Sequence, residues 1–442
     1  MFALGLPLIG AQLAQVGIQT TDIVMIGWLG PQQLAATALG ASVFFACWLF
    51  AMGICSAVAP LVAYARGAKQ PRQVRRSVRQ GFWVAVVIGL PLSAGLWQME
   101  AILLTIGQDP TNSALAGGYI QAMLLGFVPS LWFIVMRSFL SAMDKGRVIL
   151  VVSLLAVGVN VLCNYALIFG NFGFPRLELV GAGLASSLVA CFMFAGLLIY
   201  TLLHRKLKRY ALLIRLWRAD WPLFRDIFRI GTPIGGTILM EAGMFAAAAQ
   251  MMGRIGTTEL AAHTIAIQCV SVAFMLPLGL GQAATIRVGL ADGSGRWDDI
   301  GHAGWSAMAL GMFCVVLTVL AYLLLPVTLV GFFLDLDLPE NRAVLDYAVI
   351  YLAIAALFQL FDSGQVIASC GLRGLRDTRK PMLLAALGYW GIGVPTALLL
   401  GFELEWGGKG IWLGLAVGLA VTAVMLIARF ALRERLHLVH RH

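Results

Sequence analysis

The chain has 442 residues, of which 60% are hydrophobic and only 12% charged, with a mean hydropathy of +0.88 and a net charge of +10. Soluble domains carry about 25% charged residues, so this composition excludes a soluble enzyme and requires most of the chain to face lipid or other helices. The positive balance does not mark a nucleic-acid binder, because it is scattered over short connections instead of forming one continuous basic face.

Taken in chain order, twelve apolar spans are predicted, at 2–29, 33–64, 78–105, 113–141, 146–170, 180–203, 222–254, 258–292, 299–333, 340–372, 379–402 and 409–432. About 20 apolar residues suffice to cross a bilayer as a helix, and each span meets that length. The first lacks the short apolar core and small-residue cleavage site of a signal peptide, so it is read as a helix. Internal prolines at Pro7, Pro60, Pro91, Pro129 and Pro277 are expected to kink their helices.

Lys and Arg are divided unevenly between alternate connections. One side holds 26 of the 31, and the other holds Arg176, Arg254, Arg342 and Lys409. The remaining one, Arg137, lies within the fourth span. By the positive-inside rule the rich side is cytoplasmic, which places both termini and the 204–229 connection there. The seven cysteines all fall inside apolar spans without CxxC spacing and read as small buried hydrophobes. His204, His263, His302, His437, His440 and His442 show no metal-ligand spacing.

The chain repeats itself. Residues 25–38, MIGWLGPQQLAATA, match residues 251–264, MMGRIGTTELAAHT, at an offset of 226. The same offset pairs Pro7 with Pro233 upstream, and Val62, Ala65 and Gly67 with Val288, Ala291 and Gly293 downstream. The expected fold is therefore an all-α membrane protein of twelve transmembrane helices in two six-helix lobes. Its domains would be 1–210, a cytoplasmic linker at 211–221, and 222–442. Because six is even, both lobes enter from the same side and the repeat is parallel. The basic linker with alternating apolar residues suits the surface of the inner leaflet.

Of the 21 acids, 18 fall in connections or near span ends, and three remain within spans: Asp22, Glu241 and Asp362. On insertion scales each costs about 2.5–3.5 kcal/mol at a helix centre. A single buried acid is often a helix–helix hydrogen bond; three, with no basic residue at their depth, point to ion binding. Helical spacing puts Gln15 and Gln19 on the face of Asp22, and Gln359 and Gln365 beside Asp362. Asn160 and Asn164 share one face of the fifth span. Desolvation penalises a charged carboxylate, so such acids take up H⁺, Na⁺ or an organic cation. Competition for one carboxylate is the simplest antiport mechanism.

The stretches LPLIGAQLAQVGIQTTDIVMIGWLGPQQLAA, SAVAPLVAYARGAKQPRQVRRSV, GTPIGGTILMEAGMFAAAAQMMGRIGTTELAAHTIA and FDSGQVIASCGLRGLRDTRKPM resemble the multidrug and toxic compound extrusion (MATE) transporters, in their NorM-like branch. The resemblance implies two helical lobes and export of cationic, often aromatic drugs against H⁺ or Na⁺. It makes Asp22 the first-lobe carboxylate, with Asn160, Asn164 and Ser186 around it, and Glu241 and Asp362 the cation-site acids of the second lobe. Some relatives have an Asp where this chain has Asn164. Some Na⁺-coupled relatives place a tyrosine one turn before the second-lobe acid, where this chain has Phe358, which favours H⁺ over Na⁺.

The sequence reading is thus a multidrug exporter of the bacterial inner membrane, monomeric and without cofactor. Asp22, Glu241 and Asp362 are the ion-coupling residues, and Gln15, Asn160, Asn164, Ser186 and Gln359 the candidate substrate-binding residues. No metal site is assigned beyond Na⁺ at Glu241 and Asp362. The alternative, a lipid-linked oligosaccharide flippase of the same superfamily, would need Arg or Lys in the cleft for a pyrophosphate cargo. A major-facilitator transporter lacks its G-x-x-x-D-R pattern here, and an enzyme lacks G-x-S-x-G, H-E-x-x-H or P-loop residues. Phe44, Phe45, Trp48, Met244, Phe245, Met275 and Phe358 are candidates to line a drug cavity, but at helical spacing in apolar spans they read as packing or lipid contacts.

Overall fold

A computed structural model describes residues 1–439; His440 and His442 lie outside the described residues. Those residues are helical with no strand, and twelve membrane-scale segments follow in order. They are α1 (Phe2–Gly27), α2 (Pro31–Gly67), α3 (Pro71–Leu96), α4 in two pieces (α4a, Pro110–Leu124, and α4b, Phe127–Ala142), α5 (Gly146–Phe169) and α6 (Glu178–Leu203). After the linker come α7 (Trp221–Ile255), α8 (Thr257–Gly293), α9 (Trp297–Leu324), α10 (Pro339–Gly374), α11 (Arg379–Glu403) and α12 (Gly407–Ala431).

Among the described residues ten of these helices are long and apolar enough to span a bilayer, and α4a with α4b makes an eleventh across a 44° bend. The twelfth, α7, has ample length at 35 residues. The glycines and threonines around Glu241 dilute its apolar character. Large apolar side chains such as Phe2, Leu155, Leu324 and Val424 stand exposed on the helices, as lipid-facing surfaces require.

The prolines divide into two groups. Helices run through Pro7, Pro91 and Pro277 without interruption. Pro60 and Pro129 instead follow breaks, after Ser56 in α2 and at Leu125–Gly126 in α4. The proline ring excludes the carbonyl four residues earlier, and in these two cases that carbonyl belongs to Ser56 and Leu125. In α11 the regular span expected at 379–402 contains wide π turns at Leu387–Gly393 and Leu399–Glu403, on either side of Pro395.

The chain forms two compact units, one of Gly10–Gly235 and one of Gly236–His442 with Met1–Ile9. The partings fall inside α1 and α7, and positions 10 and 236 differ by 226, the offset of the repeat. The start of α1 therefore belongs to the second unit, and the start of α7 to the first. The linker lies wholly within the first unit.

Glycines make these helix starts fit. In the first unit a Cβ on Gly53 would collide with the Gly235 backbone, and one on Gly231 would sit 2.7 Å from Ile54 Cα. In the second unit, at the equivalent positions, a Cβ on Gly279 would lie 2.9 Å from Ile9 N and one on Gly5 2.8 Å from Leu280 Cδ2. The same close helix crossing is built twice from repeated residues.

Candidate ion and substrate sites

In the first unit, α1, α5 and α6 converge on Asp22. Asn160 and Asn164 stand one turn apart on α5, so both side-chain amides reach the same carboxylate oxygen. Their Nδ2 groups donate to Asp22 Oδ1 at 2.8 and 2.6 Å, and Ser186 Oγ approaches Asp22 Oδ2 at 3.1 Å. The Ser186 hydroxyl lies equally close to Ala182 O, and its single proton serves one of the two. Both asparagines are fully buried, yet their Oδ1 atoms have no partner. Two orphaned acceptors beside a carboxylate form a cluster that offers lone pairs to a cation and repels an anion.

Four of the predicted residues are thus brought together: Asp22, Asn160, Asn164 and Ser186. Gln15 lies two turns away on α1 and takes no part in that hydrogen-bond set. Gln12, which the sequence reading passed over, accepts from Arg137 Nη1 at 2.8 Å. This contact engages Arg137 of the fourth predicted span, which forms no ion pair with Asp22 among the described residues.

In the second unit, Glu241 on α7 and Asp362 on α10 line one cavity of about 110 Å³, with Phe245, Ser271, Phe274 and Met275 among its walls. Phe245 and Met275, read from the sequence as packing, therefore face the two acids. The spacing of Glu241 and Phe245, four residues apart on one helix face, was the signal available for this. Asp362 is 2% exposed and accepts from Gln365 Nε2 at 3.4 Å. Gln365 Oε1 accepts in turn from the Tyr389 hydroxyl at 2.9 Å.

Tyr389 was missed by sequence reasoning. It sits in the π stretch of α11, and no periodicity of an ordinary helix would aim it at α10. Gln359, expected beside Asp362, is fully buried with both amide atoms unpartnered. Further along, Tyr351 Oη, Trp412 Nε1 and His263 Nδ1 are also buried without partners. Their rings pack together, with centroids 6.3 Å apart for Tyr351 and Trp412 and 5.5 Å for His263 and Trp412. Most buried polar groups find a partner, so this run of orphans is an unusual concentration. No group of three or more metal-ligating side chains occurs among the described residues.

The MatE family profile matches residues 7–166 and 233–399. The two matches start at positions that differ by the offset of the repeat. The chain is 46% identical to a probable multidrug resistance protein NorM of Brucella suis over 439 residues, covering 99% of this chain and 92% of the relative. It is 44% identical to a probable multidrug resistance protein NorM of Mesorhizobium japonicum, covering 98% and 93%. A crystal structure of MATE in the straight conformation shares the fold, with a TM-score of 0.88 at 19% identity and coverage of 98% of this chain and 95% of that one. The chain is a multi-pass membrane transporter and not an enzyme, and it belongs to the MATE family of multidrug efflux transporters, in its NorM-like branch.

Proposed function

We propose that this transporter exports organic, mainly cationic compounds by antiport against H⁺ or Na⁺, with alternating access between its two lobes. The observation that carries the reading is the set of three carboxylates at membrane depth, none ion-paired among the described residues. Asp22 is held by neutral donors alone, and Glu241 and Asp362 share one cavity. Asp22, Glu241 and Asp362 bind the coupling ion. Asn160, Asn164, Ser186, Gln15 and Gln359 contribute to substrate binding.

Two carboxylates around one small cavity repel each other when both are ionised, so the pair favours uptake of a proton or a cation. A drug cation needs the same carboxylates free, and binding of one species expels the other. A 1:1 exchange of a proton for a monovalent cation moves no net charge. Only the pH gradient then drives export, at about 1.4 kcal/mol per unit. Phe358 stands at 0% exposure beside this site with no hydroxyl to offer a metal ion, and we take H⁺ as the coupling ion. The transporter is a monomer of the bacterial inner membrane with both termini in the cytoplasm, in keeping with the excess of Lys and Arg in its cytoplasmic connections.

Purified protein in sealed vesicles tests this directly. A pH gradient imposed in Na⁺-free buffer should drive movement of a cationic dye, while an Na⁺ gradient at equal pH should not. Asp22→Asn, and Glu241→Gln with Asp362→Asn, should abolish that movement while the protein inserts normally. Full transport by both variants would remove the acids from the mechanism.

A further inference from the structure

The linker is tied to the first unit by a row of contacts. Trp83 Nε1 donates to Leu216 O at 2.7 Å, Gln80 Nε2 to Arg218 O at 3.3 Å, and Arg79 Nη1 to Arg215 O at 3.2 Å. Arg76 pairs with Asp220, which holds the Asp220 carboxyl below the usual carboxylate range. Within the same connection Leu207, Tyr210 and Leu212 are buried.

Beneath it lies a cavity of about 300 Å³ with wholly apolar walls. Phe82 and Trp83 of α3, Trp132 of α4b, Phe194 of α6 and Leu213 and Leu216 of the linker line this half-open space. The rings brace one another, with Trp132 and Phe194 centroids 5.2 Å apart and Phe82 edge-on to both.

Two arginines precede the cavity wall on α3, Arg79 one turn and Arg75 two turns before Phe82. Arg79 is 5% exposed, and its Nε has no partner. Its charged surroundings are Arg75, Arg76 and Arg218, against the single acid Asp220, and Asp220 is already paired. Arg75 Nε is likewise buried and unpartnered. By the distribution of Lys and Arg this end of α3 lies at the cytoplasmic leaflet, where anionic headgroups collect. Trp217 and Trp221 stand exposed beside it, in the manner of interfacial aromatic anchors.

We propose that this cavity binds one anionic phospholipid of the inner leaflet, with part of an acyl chain among the aromatic rings and its phosphate on Arg79 and Arg75. The site needs both halves of that ligand. A cationic drug would be repelled by the arginines, and a free anion would leave the apolar walls empty. At about 300 Å³ the cavity is at the lower limit of ligand pockets, too small for a whole lipid and suited to one chain segment. Bound there, the lipid fastens the linker to the first unit.

Delipidated full-length protein in detergent provides the test, with phosphatidylglycerol, phosphatidylcholine and glycerol 3-phosphate added separately. Native mass spectrometry should retain one phosphatidylglycerol per chain, and the unfolding temperature should rise with that lipid alone. Leu213→Trp fills the cavity without altering charge, and Arg79→Gln removes the buried guanidinium. Each should weaken retention by about fivefold or more, and Arg79→Lys should restore part of it. Should Arg79→Gln fail to fold, Leu213→Trp still decides the matter. Equal retention of phosphatidylcholine, an equal thermal shift with glycerol 3-phosphate, or unchanged retention in Leu213→Trp would overturn the assignment.

Discussion

Asp22 illustrates how a carboxylate is kept at membrane depth without a counter-ion: two asparagine amides donate to it, and the Ser186 hydroxyl, shared with Ala182 O, lies at 3.1 Å. Such an arrangement lowers the cost of the charge without cancelling it. Asp362 is supported differently, by a relay from Tyr389 through Gln365. Tyr389→Phe should therefore leave Gln365 Oε1 buried and unpaired, at a cost of roughly 1–3 kcal/mol. A fall in the thermal unfolding midpoint and a severalfold loss of transport are expected, without loss of membrane insertion. Wild-type midpoint and transport in this variant would show that the relay supports nothing. Sequence spacing gave access to the acids and to Gln365, because helical periodicity is local. Tyr389 was not accessible, because its contact depends on a π turn and a neighbouring helix.

The helices owe their close approaches to glycine at a few positions. A Cβ on Gly279 meets Ile9 Cγ1 at 2.6 Å and Ile9 N at 2.9 Å, and backbone cannot swing aside as a side chain can. Gly279→Val, and Gly53→Val at the repeat-equivalent crossing, should each destabilise the protein by about 1–3 kcal/mol or more. Reduced yield and a lower unfolding temperature of detergent-purified protein would report this. Gly95 in α3 supplies the control, since nothing lies within 4 Å of a Cβ there. Gly95→Ala should be neutral or stabilising by up to about 1 kcal/mol. Equal effects at 53, 279 and 95 would refute the packing account. Repeat pairing was readable from the sequence, whereas the reason Gly53 and Gly279 are small was not, because each packs against a helix far away in the chain.

At the scale of the whole molecule, the charge asymmetry of the connections makes an orientation testable. In a cysteine-free background, a cysteine at exposed Lys208 should resist a membrane-impermeant thiol reagent in intact cells, and one at exposed Glu340 should react. The reverse pattern would invert the topology. The two compact units also bear on where the chain divides. A cut placed in the linker follows composition, but the units part 226 residues apart within α1 and α7. Two fragments separated at 210 would thus each lack the start of a helix that its own unit packs.

The sequence by itself determined the lipid-facing character, the spans, the parallel repeat, the sign of the membrane-depth charges and the family. All of these rest on composition and on periodicities that survive without knowing which helices touch. Tertiary structure alone decided that Asn160, Asn164 and Ser186 converge on one carboxylate, that Glu241 and Asp362 share a cavity, and that Tyr389 reaches Gln365. It also decided which unit holds the start of each lobe's first helix and where the linker docks. These features depend on pairs of residues distant in the chain, whose approach is set by helix packing and by single glycines.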